Sequence, residues 1–142
     1  MIRGYFRLEV LPQPFVNVAV QIGGEGTAWV PVPFIIDTGA AATCVHALDA
    51  VRLLGIPPSG LDSSQWKEPI SLGGIGGGGT YLRQVARFGF LHDDRQLHLI
   101  EGSVFIGDLA TQSTPALLGW DILQHFQIAF DGNRSVTLTP LR

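Results

Sequence analysis

Residues 15–22 alternate between apolar and polar positions. Val16, Val18, Val20 and Ile22 fall on one side, Asn17 and Gln21 on the other. A period of two is the mark of a half-buried strand. Gly23, Gly24 and Gly26 follow as a turn, and residues 27–36 read as a second strand that completes a hairpin. Pro31 and Pro33 cannot donate to a ladder, so the second strand should be an edge or bulged stretch. Residues 42–45 read as a short strand. From His46 to Leu54 the apolar spacing changes to that of a helix, with Leu48, Val51 and Leu54 on one side. Gly55 supplies a C-cap and prolines follow it. Residues 57–68 are polar and loop-like. Alternation resumes over 69–91 around a glycine cluster, which predicts a long hairpin. Residues 96–106 carry a further strand or two, and 122–126 a short helix. Residues 127–139 form a last hairpin with Asp131 and Gly132 in its turn.

Many short strands with one or two short helices predict an all-β fold. At 142 residues, with no internal repeat and no linker, one domain over 1–142 is the expectation. Composition sharpens this. Apolar residues make up 46% of the chain, enough for a core, while the charged fraction of 15% is low for a soluble monomer. That favours a buried subunit interface over a β-rich core alone. The net charge of −3 and the scattered basic residues give no nucleic-acid footprint. No apolar run is long enough to cross a bilayer, and the N-terminus lacks the apolar stretch of a signal peptide. Cys44 is the single cysteine, which excludes an intrachain disulfide and suggests a reducing, cytoplasmic setting. Cys44 itself reads as a small buried hydrophobe. His46, His92, His98 and His125 lack metal-ligand spacing, and Asp93 and Asp94 read as a solvated turn.

The candidate chemistry begins at Asp37. It ends the apolar run Phe34-Ile35-Ile36 and is followed by Thr38, Gly39 and Ala40. A carboxylate is thus set at the end of a buried strand, next to a glycine that permits a tight turn. Two further segments accompany it: Leu117-Leu118-Gly119-Trp120, and a run with six glycines in seven residues over 73–79. In this order the three resemble the retropepsin-like aspartic protease family, and a non-viral, bacterial member more than a viral one. Asp37-Thr38-Gly39-Ala40 resembles the active-site loop. Leu117-Leu118-Gly119 resembles the apolar-apolar-glycine signature behind it. Gly73, Gly74, Ile75, Gly76 and Gly77 resemble the flap.

The resemblance implies a closed or orthogonal β-barrel with a flap hairpin. Hydrolysis of a peptide bond by this chemistry takes two carboxylates sharing one proton. The chain has one Asp-Thr-Gly and lacks the length for two lobes, so the second Asp37 should come from a C2 homodimer. By the same resemblance Thr38 would hydrogen-bond across that dimer, and Gly39 would let the backbone approach the carboxylates. Ala40 lacks the hydroxyl found there in pepsin-like enzymes, which implies activity nearer neutral pH. Leu117, Leu118 and Gly119 would back the loop and line subsites. Ile75 would be the flap tip that closes over a peptide or protein substrate. No cofactor and no metal are implied. Ala41 and Trp120 stand where viral members carry an acid and an arginine, so Trp120 would brace the loop by packing.

Two other readings use the same residues. One is a dimeric module of this fold that holds a peptide without cutting it. The other is a nucleotide-binding domain, since Gly74 to Gly79 also fits G-x-G-x-x-G, with Asp94 twenty residues after Gly74. That reading requires a strand, a loop and a helix in succession, whereas residues 80–88 alternate as a strand does.

Overall fold

A computed structural model describes residues 1–8, 11–45, 47–55, 58–74, 77–108, 115–132 and 134–142. In chain order its elements are β1 (Ile2–Arg3), β2 (Tyr5–Leu8), β3 (Pro12–Ile22), β4 (Val30–Ile36), β5 (Cys44–Val45), α1 (Ala47–Leu54), β6 (Ile70–Gly74), β7 (Gly77–Leu91), β8 (Leu97–Gly107), β9 (Leu117–Leu118), α2 (Trp120–Leu123), β10 (Phe126–Asp131) and β11 (Ser135–Pro140). The fold is all-β with two short helices. One sheet has the order β1-β11-β10, the other β2-β3-β4-β9-β5-β8-β7-β6. Because β3 also pairs with β7, the path β3-β4-β9-β5-β8-β7 returns to its start. The two-residue strands β5 and β9 are its narrowest links.

The alternation of residues 15–22 sets the core. Val16, Val18 and Val20 pack with Val32 and Phe34 from β4, all essentially without solvent exposure. Each such side chain contributes about 1.5–3 kcal/mol on burial. Gln21 departs from the pattern: it is buried, because β7 covers this end of β3 as well. Its side chain is satisfied by donating to Thr27 O at 2.9 Å and accepting from Arg87 at 3.3 Å. The two prolines sit where the sequence asks. The nitrogens of Pro31 and Pro33 alternate with the Ile35 N–H, which donates to Ala116 O at 2.9 Å, on the side of β4 away from β3. β9 pairs only with Ile35 and Ile36, so a missing donor at 31 or 33 breaks no described ladder.

Several elements differ from the sequence reading. β1 and β2 are additional, created by pairing with β11 and β3. The core face of α1 is carried by Ala50 and Leu53, with Val51 and Leu54 partly buried beside them. Its C-cap is Gly55, at φ +62°, whose N–H reaches Val51 O at 3.1 Å. The stretch read as loop holds two 3-10 turns, Pro58–Leu61 and Ser63–Gln65, and Leu61 is fully buried. Residues 96–106 form one strand, paired with β7 from Tyr81 to Leu91. The second helix starts two residues early, at Trp120, and Phe126 already opens β10.

The long hairpin is β6–β7, with Gly73 opposite Gly78 and Gly74 opposite Gly77. The β8 ladder ends at Tyr81, with one further bond from Asp108 N–H to Thr80 O at 3.1 Å, so Gly77 to Gly79 pair with β6 alone and the ribbon extends past the sheet. Ile75 and Gly76, expected at the flap tip, lie outside the described residues, as does His46, expected to open the first helix. The glycine run leads into the fifteen-residue strand β7, not into a helix, and this removes the nucleotide-binding reading. Among the described residues no helix is long and apolar enough to cross a membrane.

Candidate active site

β4 delivers Asp37. The parallel pairing of Ile36 with Leu118 continues one step, and the Asp37 N–H donates to Leu118 O at 3.1 Å. The chain then turns. Gly39 N–H donates to Asp37 Oδ1 at 3.0 Å, and Ala40 N–H to Asp37 O at 3.2 Å. An aspartate that caps its own turn is locally favoured. The carboxylate is half-buried, with Thr38 and Gly39 exposed beside it. Its Oδ2 has no hydrogen-bond partner among the described residues. A Cβ on Gly39 would stand 3.4 Å from Asp37 Oδ1, an ordinary contact, so within one chain the position has room.

The loop is held from behind. Trp120 N–H donates to Ala40 O at 2.7 Å and Asp121 N–H to Ala41 O at 3.2 Å. Thr43, fully buried, donates its backbone N–H to Asp121 Oδ2 at 3.1 Å and its hydroxyl to Asp121 Oδ1 at 2.7 Å. The same hydroxyl accepts from Gly119 N–H at 3.0 Å, and Asp121 Oδ1 also accepts from Ile122 N–H at 2.9 Å. Gly119 has to be small here. A Cβ would lie 2.6 Å from the Ala42 carbonyl and 3.0 Å from Ala40 O, both backbone.

The chain matches no protein-family model and no curated protein. Among solved structures it is similar to a retropepsin-like aspartic protease from Rickettsia conorii, with 18% identity, 89% of this chain and 81% of that chain covered, and a TM-score of 0.44.

Leu118 is buried completely, so its side chain belongs to the core and its carbonyl serves the loop. Leu117 is half-buried and pairs with both Ile35 and Cys44. The Trp120 indole is 51% exposed. Its backbone N–H holds Ala40 O, and the loop is also held by Thr43 and Asp121. Sequence reasoning passed over both. The available signal was Asp121 itself, a lone carboxylate inside the apolar run 116–123, which needs a partner if that run is buried. Cys44, next to Thr43, is buried, and its thiol pKa is pushed up to about 11, first by burial and then by the Asp121 carboxylate. It is a packing residue, not a reactive one. Among the described residues no group of histidine, cysteine and acidic side chains is arranged to hold a metal.

A groove of about 350 Å³ opens over Arg7, Phe15, Pro33, Ile35, Asp49 and Ala116. Asp37 does not line it. The groove shares β4 with Asp37 through Ile35, two residues upstream, and shares the neighbouring segment through Ala116. A carboxylate with one free oxygen, a stiff loop and an apolar groove along the same strand can support hydrolysis of an extended chain, provided a second carboxylate joins the first.

Proposed function

We propose that this chain is an aspartic endopeptidase that works as a C2 homodimer, with Asp37 of each copy meeting on the symmetry axis. The observation that carries this is the setting of Asp37. Its Oδ1 is tied to Gly39 N–H and its Oδ2 has no partner among the described residues, on a loop pinned by hydrogen bonds to Gly119, Trp120 and Asp121. Two such carboxylates share one proton, because like charges that close cannot both ionise. The ionised one takes a proton from a water molecule. That water attacks the scissile carbonyl carbon, and the protonated one gives its proton to the carbonyl oxygen. Collapse of the tetrahedral diol passes a proton to the amide nitrogen and breaks the C–N bond, and the dyad regains its shared proton. A pinned loop matters because two carboxylates must hold their relative placement through both transfers.

On this reading the β6–β7 ribbon, with Gly73, Gly74 and Gly77 in its ladder, closes over a bound peptide. The test is digestion of a broad peptide library by the wild type and by Asp37→Asn, with the oligomeric state followed by sedimentation. Cleavage that requires Asp37 and rises with the dimer fraction is expected. A strictly monomeric species that cuts peptides would sink the dimer, and full activity in Asp37→Asn would place the chemistry elsewhere.

A further inference from the structure

The groove beside β4 carries an unbalanced charge. Its floor is apolar, made by Phe15, Pro33, Ile35 and Ala116. At about 350 Å³ it lies at the small end of ligand sites, which run from about 300 to 1,000 Å³, and has room for a few side chains. Among the described residues two charged side chains line it. Asp49 is neutralised by Arg52 at 2.6 Å, and only 18% of its side chain is exposed. Arg7 is different. Its guanidinium stacks on the Phe15 ring, 4.1 Å from the centroid, and has no carboxylate partner among the described residues. A guanidinium stacked on a ring keeps its N–H donors in the plane, free to fork onto a carboxylate.

The two charges lie on different elements. Arg7 is on β2, and the sheet order β2-β3-β4 puts two strand spacings, roughly 10 Å, between β2 and β4. Asp49 is on α1, whose Arg52 also donates to Pro31 O on β4. The groove is thus neutral at its α1 side and cationic at its β2 side. β2 pairs only with β3, so that side is open to an extended chain.

We propose that the groove binds an acidic peptide segment: a large apolar side chain lies over Pro33 and Ile35, and a neighbouring Asp or Glu of the peptide is forked by Arg7. This rests on the endopeptidase reading for the identity of the segment as substrate, and it names the class of that substrate. A basic residue at the same position is rejected by the same charge.

The test separates binding from cutting. Labelled ten-residue peptides with one central Phe, flanked by Glu, Gln or Lys at each position in turn, are titrated against Asp37→Asn by fluorescence anisotropy. At low salt one Glu position binds about tenfold more tightly than Lys there, the swing expected when an attractive pair worth up to about fivefold becomes a repulsive one. The ratio shrinks as ionic strength rises. In the double variant that adds Arg7→Glu the order reverses at that position. Adding Arg95→Glu instead, in the exposed β7–β8 turn, leaves it as it was. Equal binding of all the peptides, an order unchanged by Arg7→Glu, or a preference indifferent to salt would each overturn the proposal. The endopeptidase reading fails in a different way: the wild type would sort the peptides by charge and leave all of them uncut.

Discussion

Two polar clusters sit in this β fold, and they solve the same problem in opposite ways. Behind the Asp37 loop, Thr43 and Asp121 match donors to acceptors. Two N–H groups and a hydroxyl converge on one carboxylate, and a third N–H goes to that hydroxyl. At the far end of the β7–β8 hairpin, His92 and His98 pack ring edge to ring face at 6.1 Å, and His98 leans on Phe126 at 5.6 Å. Among the described residues no acid pairs with them: neighbouring Asp93 is engaged by the Met1 amine at 3.1 Å and by Arg3 at 3.3 Å. The His98 pKa is instead lowered, first by burial and then by the like charges of His92 and His125. One cluster is held by hydrogen bonds and is stiff. In the other, burial and like charges weigh against the charged form of His98. Stiffness is what a loop presenting a catalytic carboxylate needs, and it is found at the end that carries Asp37.

The sharpest way to break this contrast is Asp121→Ala. It leaves Thr43 N–H and the Thr43 hydroxyl without their acceptor, both on a fully buried residue, while Ile122 N–H keeps Gly119 O at 3.1 Å. Unsatisfied buried donors are expensive, so a loss of about 3 kcal/mol is expected, read as a shift in the urea midpoint with the slope unchanged. Peptidase activity should fall further than the folded fraction does, since the loop loses its brace. A variant as stable and active as the wild type would show that the brace is incidental. Gly119→Ala tests the same end by volume. Its methyl must displace backbone at 2.6 Å, which costs about 2 kcal/mol and moves Ala40 and Ala42 away from α2.

The contrast was only half legible in the sequence. Asp37 could be placed because local signals agree there: an apolar strand, an aspartate that caps its own turn, a glycine. The β3 alternation was readable because one face of that strand is buried, and the prolines because a missing N–H has few places to go. The brace was not readable, since Thr43 and Asp121 are 78 residues apart and meet only once β5 and β9 are paired. β1 and β2 escaped for the same reason: two to four residues with arginines among them become strands through β11 and β3, not through any period of their own. α2 was placed two residues late because its N-cap is Gly119, which makes no side-chain capping bond that would mark the start. The histidines were counted and set aside for lacking ligand spacing. That spacing cannot reveal that His92, His98 and His125 share one corner.

A smaller effect tells the two ends apart in alkali. The unfolded Cys44 thiol loses its proton near 9.0, while the folded one holds it to about 11. Between those values the folded state binds the extra proton, so stability falls as pH rises. The loss amounts to about 2 kcal/mol across the window, a shift of one pKa unit being worth about 1.4 kcal/mol. Chemical denaturation at pH 8.5 and pH 10.5 measures it. Cys44→Ala should lower stability at both values through lost packing but remove the difference between them. The same difference in the variant would assign the alkaline loss to another group.

The smallest effect is expected in acid, at the histidine corner. His98 is lowered in the folded state, so on acidification the unfolded chain takes up its proton first, near the ordinary histidine value of about 6.5. From there downward the unfolded state binds more protons, and stability falls with pH until folded His98 titrates as well. The lowered carboxyls of Asp62 and Asp93 withdraw their contribution further down, below the ordinary carboxyl range. Thermal midpoints between pH 7.5 and pH 5.0 should therefore fall in the wild type and fall less in His98→Gln, which keeps a polar side chain without a proton to gain. His92→Gln should have a weaker effect in the same direction, because it removes one of the two like charges facing His98. The Thr43–Asp121 end predicts the opposite outcome for its own variants: Thr43→Val should lower the midpoint by a similar amount at every pH in this range, since it removes hydrogen bonds and no titrating group. Parallel acid slopes in wild type and His98→Gln would show that the corner is not kept neutral by burial, and the division between a hydrogen-bonded end and a proton-excluding end would fall.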